Sequence, residues 1–174
     1  MLGIYLFDSF EGFEQIFQKC KSWGIKWIFT LPHIYSKNNF QNNAKKYGIK
    51  NSVIFPVYYD KEYLETNPNE YSITSKGRKA IHDWLHFACQ SSIKYIEMRK
   101  KKLKDLLKHS QPDMIAIDFI RFYVFWEEVY PNFLFEDIED GCYCPRCINQ
   151  FQNNYNINIK NKNPQWIKKS YLEQ

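Results

Sequence analysis

The hexapeptides Lys21–Lys26 (KSWGIK) and Lys45–Lys50 (KKYGIK) are the same helix-to-strand turn written twice, 24 residues apart. Each closes an amphipathic stretch with an aromatic residue and a glycine, then opens an apolar run. Each therefore predicts a helix ended by a C-cap glycine and followed at once by a strand. Phe13 to Trp23 has Phe13, Ile16, Phe17 and Cys20 at helical spacing, and Phe40 to Tyr47 is a second, more polar helix. Gly3–Asp8 (GIYLFD), Ile25–Thr30 (IKWIFT) and Ser52–Phe55 read as the strands around them. Turns this short set successive strands side by side and parallel, with right-handed crossovers. Pro56 cannot donate to a ladder, so the third strand is expected to end near Phe55 or to bulge there.

A fourth strand is predicted at Met114 to Phe119. Met114, Ala116 and Asp118 share one face, and Ile115, Ile117 and Phe119 the other. A strand apolar on both faces belongs to a parallel sheet covered by helices. Before it come a polar segment, Tyr58 to Lys79, long enough to suggest a functional loop, and a helical region, Arg78 to His109. That region is interrupted near Gln90-Ser91-Ser92 and carries Ile93, Ile96, Leu103, Leu106 and Leu107 on one stripe. The expected fold is α/β, four parallel strands in βα repeats. Asp118 is the polar exception at the far end of the fourth strand, where α/β proteins gather ligands and catalytic side chains. Capping the following turn is the other reading of the same residue.

Composition narrows the classes. The 174 residues amount to one domain, 1–174, with 122–160 forming an aromatic and cysteine-rich loop insertion after the fourth strand. Much of the net charge of +5 sits in Arg99 to Lys102 plus Lys104, a solvated helix face rather than a nucleic-acid surface. The apolar start has no basic region and meets Asp8 too soon for a signal peptide. No run approaches the roughly 18 apolar residues of a membrane span. Five cysteines, three of them between positions 142 and 147, argue against a disulfide framework and for a reducing compartment, so the cytoplasm is expected. There is no glycine-rich phosphate loop, and His82-Asp83 is a lone dipeptide.

Cys142-x-Cys144-x-x-Cys147 offers three thiolates, and structural zinc takes four ligands in a tetrahedron. Three readings stand: a structural zinc, reduced cysteines packing the loop, or redox chemistry at the Cys-x-x-Cys pair.

At Asp118–Phe122 (DFIRF), Phe125-Trp126-Glu127, the cysteine run and Phe151, the chain resembles uncharacterised glycoside-hydrolase-like (β/α)8 barrel proteins. These carry a strand-four motif like DGIxLDFIRF and a CFCPxCxxxF loop. Here Met114 stands where glycine is usual. Trp84–Ser92 (WLHFACQSS) resembles the family's WLCPS block, with Cys89 on its cysteine and Gln90 in place of proline. The resemblance implies a barrel with its active site at the C-terminal strand ends. A closed barrel typically takes about 250 residues. The chain therefore corresponds to the N-terminal half, a truncated or split barrel ending inside the helix after strand four.

The resemblance also implies roles. Glycoside hydrolysis normally uses two carboxylates, about 5–5.5 Å apart for retention and roughly 6.5–9.5 Å for inversion. Asp118 is the first candidate, as nucleophile or electrostatic stabiliser, with Arg121 holding it ionised. Glu127 or Glu128 is the candidate acid, and Asp8, at the end of strand one, a lesser candidate. Tyr58, Tyr59, Phe122, Tyr123 and Trp126 would stack on sugar rings, or else pack beneath long loops. Cys89 becomes the candidate fourth zinc ligand; no other cofactor is implied. The expected partners are a carbohydrate and a second chain, another copy or a complement, completing the barrel. A non-catalytic α/β module, zinc-stapled and binding a saccharide or a protein, is the competing function.

Overall fold

The structure, a computed structural model, describes residues 2–8, 12–126, 129–134, 137–159 and 161–171. Contacts divide the chain into two compact units, residues 1–57 with 99–118 and residues 58–98 with 119–174.

The first unit is a four-stranded parallel sheet. The chain runs β1 (Gly3–Leu6), α1 (Phe13–Ser22), β2 (Trp27–Thr30), α2 (Pro32–Tyr35), α3 (Asn38–Tyr47) and β3 (Lys50–Pro56). In the second unit α4 (Lys61–Thr66), a 3-10 turn at Pro68–Glu70, β4 (Ile81–His82) and β5 (Leu85–His86) follow. Helix α5 (Ile93–His109) starts there and ends in the first unit, where β6 (Met114–Asp118) completes the sheet. The order is β1-β2-β3-β6, all parallel, so the strands lie in the order in which they occur.

Gly24 and Gly48 make the repeated turn possible. Both have left-handed backbones, φ 73° and 63°, which glycine adopts without a side-chain clash. In each turn the residue after the glycine donates back into the helix, Ile25 to Cys20 at 2.9 Å and Ile49 to Ala44 at 3.0 Å. The two helices then fall on the same face of the sheet. Phe13, Phe17 and Cys20 of α1, Ile34 of α2 and Phe40 and Ala44 of α3 bury against Leu6, Ile28 and Val53, and Leu106 of α5 joins them. The rings interlock edge-on, Phe13 to Phe40 at 5.4 Å and Phe17 to Phe40 at 5.2 Å.

Strand register assigns the opposite face to Tyr5, Phe29, Ser52 and Met114, with Ala116 and Asp118 farther along. Tyr5 is 65% exposed, stacks on Phe7 and meets Phe29 at a tilt with ring centroids 5.1 Å apart, while Ser52 and Ile54 on the inner strand β3 are buried. Pro56 remains in the ladder opposite Asp118 as the last residue of β3, and the next donor, Val57 N, goes to Asp118 O at 2.8 Å.

Three expectations need correction. Arg78 to Ser92 is not helical: β4 and β5 pair antiparallel there, and the helix begins only at Ile93. The long polar segment is not plain loop either. It contains α4, whose N-cap Asp60 accepts from Tyr63 N at 3.1 Å. Ile93 and Leu107, expected on the packed stripe of α5, are exposed, and the buried positions of that helix are Tyr95 and Arg99.

The second unit continues with β7 (Tyr123–Val124), β8 (Asp140–Gly141), α6 (Pro145–Tyr155) and α7 (Pro164–Tyr171). Strands β7 and β8 pair antiparallel. No helix among the described residues is long and apolar enough to cross a membrane.

Candidate metal centre

Four cysteines converge in the second unit. The sulfurs of Cys89, Cys142, Cys144 and Cys147 all lie within 4.8 Å of one another. Cys89 Sγ is 3.3 Å from Cys144 Sγ and 3.6 Å from Cys147 Sγ. A tetrahedron of zinc–thiolate bonds about 2.3 Å long has sulfurs about 3.8 Å apart. The cluster is of that size. None of the four is in a disulfide, and Cys89 and Cys144 are buried.

Each of the four cysteines is delivered by local structure. Cys89 follows β5, its N–H donating to Glu70 O at 2.8 Å. Cys142 follows Gly141, whose backbone lies against the Ile73 segment. A Cβ at Gly141 would sit 2.9 Å from both Ile73 O and Ser72 Oγ, so only glycine allows the approach. The approach lets Ile73 N donate to Cys142 Sγ at 3.4 Å and Tyr143 N to Ile73 O at 2.7 Å. Cys144 is the N-cap of α6, Pro145 occupies its first turn, and Cys147 follows one turn on. Pro145 sits where a missing N–H costs nothing, and the helix N-terminus favours thiolate charge.

Without a cation, four acidic groups share one buried volume. Hydrogen bonds from the other three cysteines push the Cys144 thiol down, and the same network pushes Cys89 up. A dication is the usual resolution of such a cluster, since thiolates are the form that binds metal. Soft sulfur ligands in a closed four-ligand set fit zinc.

The centre has an outer layer that the sequence did not mark. Arg146 Nη1 pairs with the buried carboxylate of Glu70 at 3.2 Å, and Nη2 donates to Asn69 O at 3.0 Å. Ser92 Oγ donates to the same Glu70 oxygen and accepts from Tyr95 N at 3.1 Å, capping α5. Burial opposes the Arg146 charge, but the sulfurs of Cys89 and Cys144 and the carboxylate of Glu70 outweigh it and keep the guanidinium protonated. Arg146 stood in the sequence only as the residue between two cysteines, and Glu70 lay in the polar segment without any spacing signal.

The carboxylate candidates are differently placed. Asp118 ends β6, exposed, and Asp8 lies two residues past the end of β1, at the opposite edge of the sheet. Three strand spacings, about 14 Å, separate those edges, beyond the reach of an acid–base pair. Glu127 and Glu128 lie outside the described residues.

The aromatic candidates gather in the second unit. Phe119 has φ 52°, in the left-handed region that a bulky residue seldom enters. Its ring lies 5.3 Å from Tyr59, 6.0 Å from Trp84 and 5.8 Å from Phe87. The Arg121 guanidinium lies over Phe87, Phe119 and Trp126, 5.4 to 6.0 Å from their centroids. Tyr58 turns instead into a smaller core with Tyr95, at 6.5 Å, and Tyr123 is buried with Phe87, so these two pack rather than present a surface. Trp126 and Phe122 are exposed.

No protein-family model matches the chain, and no curated protein matches it.

Proposed function

We propose that this chain is the zinc-stapled first half of a carbohydrate-active (β/α)8-type barrel. One observation carries the reading: a parallel sheet wound in one direction, its helices on one face and exposed aromatic side chains on the other. A doubly wound sheet would reverse its strand order and place helices on both faces. A barrel instead adds each new strand beside the last and turns the second face inward.

Asp118 then stands at the active-site end of the fourth strand, on the inward face by register. The strain at Phe119 falls at the adjoining position, and backbone strain of this kind clusters at functional sites. Within the second unit, Trp126 and Arg121 offer a flat aromatic surface and a cation of the kind that holds sugars. The four cysteines hold one structural zinc, which fixes β8 and α6 against the segment after β5.

Isothermal titration against a panel of oligosaccharides tests the function. Binding that weakens in Trp126→Ala and Asp118→Asn supports it; no binding to any of the panel overturns the carbohydrate assignment. A competing reading, a non-catalytic binding module, is favoured by the wide separation of Asp8 from Asp118. Binding without turnover of aryl glycosides, even when complementary barrel strands are supplied, would select it.

A further inference from the structure

We propose that Arg146 is the outer-sphere cation of the metal centre, compensating the charge of a tetrathiolate zinc, and that Glu70 sets how much of that charge the sulfurs receive. The inference rests on the zinc reading and deepens it.

Four thiolates around a dication leave two net negative charges in a site whose Cys89 and Cys144 are buried. An uncompensated charge in low dielectric is costly. Arg146 lies between Cys144 and Cys147 in the first turn of α6, so the backbone that presents two ligands also presents the cation. Its position is held at the guanidinium end by Glu70 and by the Asn69 carbonyl. Its Nε is buried with no hydrogen-bond partner among the described residues. A buried donor without an acceptor costs stability unless something nearby draws on it, and electron-rich sulfur is what a loaded centre supplies.

Glu70 competes with the sulfurs for this cation. Its carboxylate is buried and also accepts from Ser92, which caps α5. Two roles for the Glu70–Arg146 pair therefore make opposite demands. If the pair is only a brace, losing either partner loosens the centre. If Arg146 acts by charge, removing the Glu70 charge leaves more of the cation to the sulfurs and tightens it.

The experiment measures zinc release to a chromogenic chelator from the zinc-loaded full chain, for Arg146→Met, Arg146→Lys and Glu70→Gln. Release is expected about 10–100-fold faster in Arg146→Met, the usual loss for an outer-sphere partner. It is expected partly restored in Arg146→Lys and slower than the parent in Glu70→Gln, which keeps a hydrogen-bonding group for Ser92. In the cobalt-loaded proteins the thiolate-to-metal charge-transfer band should move to lower energy in Arg146→Met and to higher energy in Glu70→Gln. Should Arg146→Met fail to fold, the Glu70→Gln and Arg146→Lys proteins carry the same test. Faster release in both Arg146→Met and Glu70→Gln, or an unchanged rate in Arg146→Met, overturns the charge role. A parent chain that binds no metal overturns the zinc reading itself, a separate outcome.

Discussion

Cys89 Sγ lies 3.3 Å from Cys144 Sγ although 55 residues separate them in sequence. A contact this long-range, repeated across four thiols, ties the end of the β5 hairpin to the start of α6. Metal elemental analysis of purified chain is expected to give one zinc, lost in Cys144→Ser. Chelation should lower the melting temperature, because binding free energy at such a site is folding free energy. Metal-free protein of unchanged melting temperature, with Cys142, Cys144 and Cys147 freely alkylated under native conditions, would leave the cluster as simple packing.

Phe119 combines a left-handed backbone with a ring packed on Tyr59 and Phe87. The two contributions separate by substitution. Phe119→Ala and Phe119→Gly both lose the ring, but only glycine relieves the backbone. Phe119→Gly is therefore expected to be more stable than Phe119→Ala by about 1 kcal/mol, against the usual order. Chemical denaturation of the two variants reads the difference.

Glu139 receives Arg78 Nε at 2.7 Å and has Lys76 at 3.7 Å. Burial raises its pKa, but hydrogen bonds from Arg78 and Thr74 and the charges of Arg78 and Lys76 win, so the carboxyl titrates below its ordinary value. A depressed folded pKa gives stability that is present above the unfolded pKa, about 4.3, and disappears as pH falls through the folded one. Since the Arg78 side chain is largely in water, Glu139→Gln should cost only about 1 kcal/mol at neutral pH. Denaturant titrations of parent and variant should converge in acid.

Tyr5 of the edge strand β1 stacks on Phe7, and both side chains are exposed. Exposed apolar faces and free sheet edges recruit other chains. The isolated chain is expected to self-associate, and Tyr5→Glu with Phe7→Glu to reduce the light scattering of the solution without lowering the melting temperature. Equal scattering from both proteins would remove the open face as the cause.

The βα repeat was legible because its signals are local: a glycine with left-handed backbone and a helical stripe ending beside it, at both Gly24 and Gly48. The strand at Met114 was legible by its period. Between Arg78 and Ser92 apolar and polar residues at mixed spacing fit a helix as well as short antiparallel pairs, and tertiary hydrogen bonds such as Ser72 N to Phe87 O decide for the pairs. Three of the four clustered cysteines stood in one motif, whereas Cys89 came only from resemblance, since no local spacing connects it to position 142. Glu70 and Gly141 could not be found at all. Their roles depend on which backbone passes beside them, and that is a property of the tertiary fold.

The agreement between strand order and chain order has a consequence for synthesis. Strands β1, β2 and β3 emerge from the ribosome as neighbours and can pair while the rest of the chain is still being made. The outer edge of β3 must then wait: Asn51 N receives its acceptor from Asp113, 62 residues later. At about 5–20 residues per second that interval is roughly 3–12 s. During it the nascent chain carries the open edge of an apolar strand, the kind of surface on which another chain can pair before β6 arrives.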